Sequence, residues 1–210
     1  MASSDFFGEL SWRWGKNQTR GDYMTLIEMK KKVLALIEEL NPNHELLTDD
    51  PDIAAKINEV INQIMFELAR FKRIPKYIEM AVSEGDTITF ADIESACGYE
   101  VYQLGTICGV SFIPKASGTV FKMLESGTAE IDIFVYPERI TEKTKDKSYE
   151  FELSADVLEI MPYGVAADLL KSDVSAQYGK VYAERYEQMK QLIDPRYQQS
   201  MFYVEGGISI

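Results

Sequence analysis

The residues able to do chemistry are few and scattered. The chain holds one histidine, His44, and two cysteines, Cys97 and Cys108. A catalytic or metal site needs such groups in a set that a fold can bring together. His44 falls in a loop-like stretch, 43–49, at no recognised spacing from a Cys, Ser or carboxylate, and reads as a surface residue. Ten residues and no histidine separate Cys97 from Cys108, which fits no common zinc spacing. They read as small buried apolar side chains. Residues 109–113, G-V-S-F-I, lack the second glycine of a nucleophile elbow. Phosphate-loop, dinucleotide-binding and H-E-x-x-H patterns are missing as well. With 34 Asp and Glu, a carboxylate pair can always meet in a fold, yet no spacing singles out two. The expectation is a non-enzymatic chain with no cofactor and no metal.

The totals bound the rest. At 210 residues there is room for one sizeable domain, or a domain with a large insertion. Hydrophobic residues at 46% and charged at 27% are ordinary for a globular protein. A formal charge of −12 argues against a general nucleic-acid binder, which needs a basic footprint. It allows a surface that DNA slides past without sticking. The uncharged apolar runs, 105–114 among them, are too short to cross a membrane. The first residues lack the apolar core of a secretion signal, and two cysteines are few for a disulfide framework.

Hydrophobic periodicity divides the chain. Residues 1–21 form an aromatic arm without helical or strand period, carrying Phe6, Phe7, Trp12 and Trp14 among Arg13, Lys16 and Arg20. A helix is expected over 25–40, opened by a Thr25/Glu28 capping box and ended by Asn41-Pro42. A second is expected from Asp50-Pro51, with apolar residues from Ile53 to Leu68 and a stop at Pro75. The period then changes from 3.6 to 2. Strands are expected over 87–90, 99–104, 106–113, 119–124 and 129–135, and in the alternation 149–153. Their solvent face is acidic: residues 76–136 hold nine acids against three lysines. The mixed charges of 137–148 read as an exposed, mobile loop. The fold class expected is α+β, a bundle of about four helices with an inserted antiparallel β domain and an extended C-terminal tail. The helical body spans 22–75 and 154–193, the β insertion 76–153, and the tail 194–210.

The return to helix organises the chain. Residues 158–193 read as two helices broken at 172–175. The first is rich in small residues, with Pro162 near its first turn. The second places Tyr178, Tyr182, Tyr186, Met189 and Ile193 on one stripe. A tyrosine buries a large ring while its hydroxyl needs a partner, so such a face suits core packing or a subunit contact. In the tail, Met201, Phe202, Tyr203 and Val204, then Ile208 and Ile210, are β-prone residues that could add a strand to a sheet.

Two N-terminal helices, a strand-rich middle, residues 161–173 (M-P-Y-G-V-A-A-D-L-L-K-S-D) and a Tyr-x-x-x-Tyr-x-x-x-Tyr-Glu helix together resemble the head–tail connector, or adaptor, proteins of tailed bacteriophages. The likeness runs over about 22–193, in element order and one degenerate segment. The resemblance implies a structural virion protein at the head–tail interface, assembled in the host cytoplasm. It implies a ring, commonly of about twelve copies, beneath the portal protein. Such a ring extends the DNA channel, lets genomic DNA pass without tight binding, and offers a platform to a neck or tail protein. The C-terminal segment, with Met201–Val204, Ile208 and Ile210, would dock on the portal. Apart from the resemblance, the arm residues Phe6, Phe7, Trp12 and Trp14 read either as docking on a neighbour or as folding back on the chain's own core. Two rival readings stand beside it. One is a carbohydrate- or cell-surface-binding β module using Tyr99, Tyr102 or Tyr136. The other is an enzyme with an unrecognised carboxylate site.

Overall fold

A computed structural model describes residues 24–41, 47–115, 118–172 and 176–193. The aromatic arm, His44 and the C-terminal tail lie outside them. Among the described residues the chain is α+β, with five helices and two small antiparallel three-stranded sheets.

Helix α1, Leu26–Leu36, opens on the expected capping box: the Thr25 hydroxyl accepts from the Glu28 amide while Glu28 accepts from Thr25. It stops four residues short of the expected end. Glu38 adopts φ +62, and the Glu39 amide reaches back to the Leu34 carbonyl at 2.9 Å. This is a Schellman ending with a glutamate where glycine is usual. Helix α2, Pro51–Phe71, starts on Asp50, whose carboxylate accepts from the Asp52 and Ile53 amides. Near its end the Tyr102 hydroxyl donates to the Ala69 carbonyl, one of the four without an intrahelical partner.

The first sheet has the order β1-β6-β3, with β1 at Ile74–Val82, β3 at Val101–Cys108 and β6 at Gly127–Val135. Strands β1 and β6 pair without a slip from Ile74↔Val135 to Val82↔Gly127, whereas β3 is bulged against β6. The second sheet is β2-β5-β4: Thr87–Thr89, Val120–Met123 and Phe112–Lys115. Between β2 and β3 lies helix α3, Phe90–Cys97, opened by a Thr89/Asp92 capping box and closed by Gly98 in the left-handed region. Helix α4, Ala155–Leu169, contains Pro162 in its interior. A 3-10 turn, Leu170–Ser172, leads to α5, Ala176–Leu192. Helix α4 is central and packs against α1, α2 and α5.

Several expectations need correction. The chain is not a bundle of about four helices carrying a separate β domain. One hydrophobic cluster takes in Met65 and Leu68 of α2, Met123 of β5, Ile131 and Ile133 of β6, and Met161 of α4. Helices and sheets bury each other, and α3 sits among the strands. The alternation at 149–153 is one of burial, with Tyr149, Phe151 and Leu153 inside, but the segment makes only an isolated bridge, Thr25↔Glu150. The runs 99–104 and 106–113 are a single bulged strand and the start of another. The 137–148 stretch is pinned to the body. The Asn62 side chain, 1% exposed, holds both the N–H and the C=O of Ile140 at 2.9 and 2.8 Å. Lys30 pairs with Asp146 at 2.7 Å, and Tyr149 donates to the Glu138 carbonyl.

Candidate functional site

The tyrosine stripe of α5 meets α4 in a graded way. Tyr186 is 5% exposed. Its ring lies against Gly164, where an added Cβ would sit 2.9 Å from the ring and 3.2 Å from Ile64. A glycine is therefore what lets α4 and α5 close on each other. The Tyr186 hydroxyl donates to Glu67 at 3.0 Å, and Lys190 bonds the same carboxylate oxygen. Burial, then the Glu67 charge, pushes this phenol well above its ordinary value. Tyr182 is half-buried and donates to the Leu36 carbonyl at the end of α1. Tyr178 is 68% exposed, as are Val181 and Leu192 in large part. The stripe is thus core at one end and open surface at the other.

Beside this seam runs an open groove floored by Phe66 and Tyr136 and rimmed by Arg70, Arg139 and Lys190. Helix α2 supplies Phe66 and Arg70. Tyr136 and Arg139 follow β6, and Lys190 comes from α5. The Phe66 and Tyr136 rings are 5.1 Å apart, and Tyr102 continues the stack at 4.8 Å. Arg70 donates to the Tyr136 hydroxyl, and its guanidinium stands 5.2 Å from that ring's centroid. Arg139 stands 5.2 Å over Phe66. Cations over aromatic faces are held without being neutralised. Arg70 has no carboxylate within salt-bridge distance among the described residues, while Glu59 and Glu67 lie by Arg139 and Lys190. The lining also includes Glu67 and Glu100 but no Cys, His or Ser. Such a groove can seat an aromatic ring with an anionic surround.

The outer face of the first sheet is the electrostatic opposite. Glu79 faces Glu130 directly across the β1/β6 pair, and Asp132 faces Tyr77. Thr106 bonds Asp132, and Tyr77 donates to Glu79 at 3.1 Å. None of the three carboxylates has a Lys or Arg within salt-bridge distance among the described residues. Tyr77, 49% exposed, stands among them. Partial desolvation, then the Glu79 bond and the neighbouring carboxylates, pushes its phenol up to about 12.

Of the residues singled out from the sequence, Phe6, Phe7, Trp12, Trp14, Met201, Phe202, Tyr203, Val204, Ile208 and Ile210 lie outside the described residues, as does His44. Cys97 is buried and accepts from the Tyr99 amide, whereas Cys108 is exposed on β3. The tyrosines expected to form a sugar platform are largely occupied. Tyr136 is 7% exposed, Tyr102 bonds Ala69, and Tyr99 bonds Glu152 beneath Lys76. Among the described residues no three His, Cys, Asp or Glu side chains gather as a metal site, and no helix is long and apolar enough to cross a membrane. Sequence reasoning missed the groove because its residues come from four separate parts of the chain. The one signal was the basic run Arg70, Lys72, Arg73 at the end of α2. No family model matches the sequence, and no curated protein matches it.

Proposed function

We propose that this chain is a structural head–tail adaptor of a tailed bacteriophage. Copies form a ring of about twelve beneath the portal protein, extend the DNA channel and seat a neck or tail protein. One observation carries the reading. The two stretches on which the resemblance rests, 161–172 and the Tyr-x-x-x-Tyr-x-x-x-Tyr-Glu helix, are packed on each other through Gly164 and Tyr186. The central helix of the protein and its nearest partner are therefore the elements that carry the likeness. Net charge supports the same role, since an acidic ring repels phosphates and lets DNA pass without holding it. Carbohydrate binding has less support, because the tyrosines it needs are engaged inside the protein.

The test uses portal-bearing, DNA-filled heads that lack this protein. Purified full chain should co-sediment with them in several copies per vertex, and a version ending before Tyr203 should be lost. Heads that retain neither version overturn the adaptor reading. Sub-micromolar binding to duplex DNA with a steep salt dependence would overturn the account of its acidity.

A further inference from the structure

We propose that the aromatic groove rimmed by Arg70, Arg139 and Lys190 receives Tyr77 and its ring of carboxylates from a second copy of this chain. The inference stands on surface chemistry and does not need the adaptor reading.

The two surfaces match in shape class and charge. One is a half-exposed tyrosine standing among Glu79, Glu130 and Asp132, with no cation beside them among the described residues. The other is a concavity floored by Phe66 and Tyr136, where Lys190 is paired with Glu67 and Glu100 also lines the wall, and whose edge offers Arg70 and the loosely paired Arg139. Like charges directly opposite on paired strands destabilise a sheet. The Glu79↔Glu130 pair therefore works against the isolated fold and is relieved when cations arrive from outside. Arg70 stacks on Tyr136 and has no carboxylate of its own among the described residues, so it can supply one. Arg and Tyr are the residues that concentrate in the cores of protein interfaces, and centrally placed aromatics dominate their energy. Laying the tyrosine of one copy over the exposed side of Phe66 in another, beside Tyr136, brings its carboxylates toward Arg70 and Arg139. Surface and counter-surface are different patches of the same chain, so each copy offers both halves of the contact.

The experiment is a charge exchange read by sedimentation. Wild-type protein should gain mass with concentration and lose it with added salt, as screened charge pairs require. Tyr77→Ala should weaken association at least tenfold. The double variant Glu79→Lys/Glu130→Lys should stay monomeric, and so should Arg139→Glu. The second is chosen because Arg139 is well exposed and its contacts, a loose 3.6 Å pair with Glu59 and its place over the Phe66 ring, lie at the surface, so the fold tolerates it. Far-UV circular dichroism should be unchanged in all three. Mixing the two charge-reversed proteins should restore association, because each now carries the partner the other lacks. The proposal is overturned if wild type is monomeric up to its solubility limit, if either reversal leaves the mass unchanged, or if the mixture stays monomeric. It is overturned as well if the Arg139 variant self-associates normally but no longer binds portal-bearing heads, which would give the groove to the portal. A wild type that self-associates in this way yet ignores the heads removes the adaptor reading and leaves this contact standing.

Discussion

The α4–α5 seam and the outer face of the first sheet solve opposite problems with the same residue type. In the seam, Tyr186 is buried against a glycine and its hydroxyl is satisfied by Glu67, which Lys190 neutralises in turn. On the sheet, Tyr77 stands half in water among carboxylates that nothing described neutralises. The first arrangement is complete in a single chain. The second carries a repulsion that no cation among the described residues offsets. The lesson is where to look for function when no catalytic motif in the sequence points to it. Places where local rules are obeyed hold the structure together, and a place where one is broken without local compensation points outward.

Three measurements on the isolated chain can break or sharpen that contrast. The largest effect belongs to the seam. Gly164→Val puts a branched side chain where even one carbon meets the Tyr186 ring at 2.9 Å. The small gain in helix propensity cannot offset this overpacking, and chemical denaturation should show a loss of about 1–3 kcal/mol. An unchanged midpoint would mean that the seam is loose.

Alkali gives a middle-sized effect. Burial raises Tyr102 to about 12, and it holds Tyr149 and Tyr186 above the ordinary tyrosine value as well. A phenol raised in the folded state keeps its proton while the unfolded chain loses it. Stability from these groups is complete below pH about 10 and falls as pH rises toward about 12. Melting temperature measured from pH 9 to pH 12 should drop across this window, with a shallower drop for Tyr102→Phe. A flat profile would show that these rings are wetter than their packing indicates.

The smallest effect, with the opposite sign, belongs to the sheet. Glu130→Gln removes one member of a like-charged cross-strand pair, so the melting temperature of the monomer should rise. The expected gain is below about 1 kcal/mol. A loss of stability would mean that Glu130 has a stabilising partner within the subunit.

How legible this was from sequence depends on whether the signal is local. Thr25/Glu28 and Asp50-Pro51 mark their helices because a cap is made by neighbours in the chain. The equivalent Thr89/Asp92 box was hidden, since T-I-T-F also alternates and Phe90 belongs to the helix although it reads as strand. The helical body expected from 154 is found, with α4 opening on Ser154, but Pro162, expected near a first turn, lies inside the helix, where packing on all sides outweighs the lost amide bond. Alternation at 149–153 reports burial correctly and pairing incorrectly, because period two says which side chains face inward and nothing about a neighbouring strand. Glu38 could not be foreseen, since glutamate rarely takes the left-handed turn that ends α1. The groove and the acidic face are products of tertiary placement. Register sets Glu79 against Glu130, and no spacing in the sequence encodes that.

The bridge between Thr25 and Glu150 has a consequence in time. The Leu26 amide takes the Tyr149 carbonyl, the Phe151 amide takes the Met24 carbonyl, and α1 rests on α4. Each of these supports of α1 thus lies more than a hundred residues downstream of it. A ribosome delivers about 5–20 residues per second, so α1 spends several seconds outside the exit tunnel before its cradle exists. Eleven residues are too few to remain helical alone. The first of the described helices is therefore among the last to be secured, and the nascent chain must carry Leu26, Met29 and Val33 uncovered until α4 has been made.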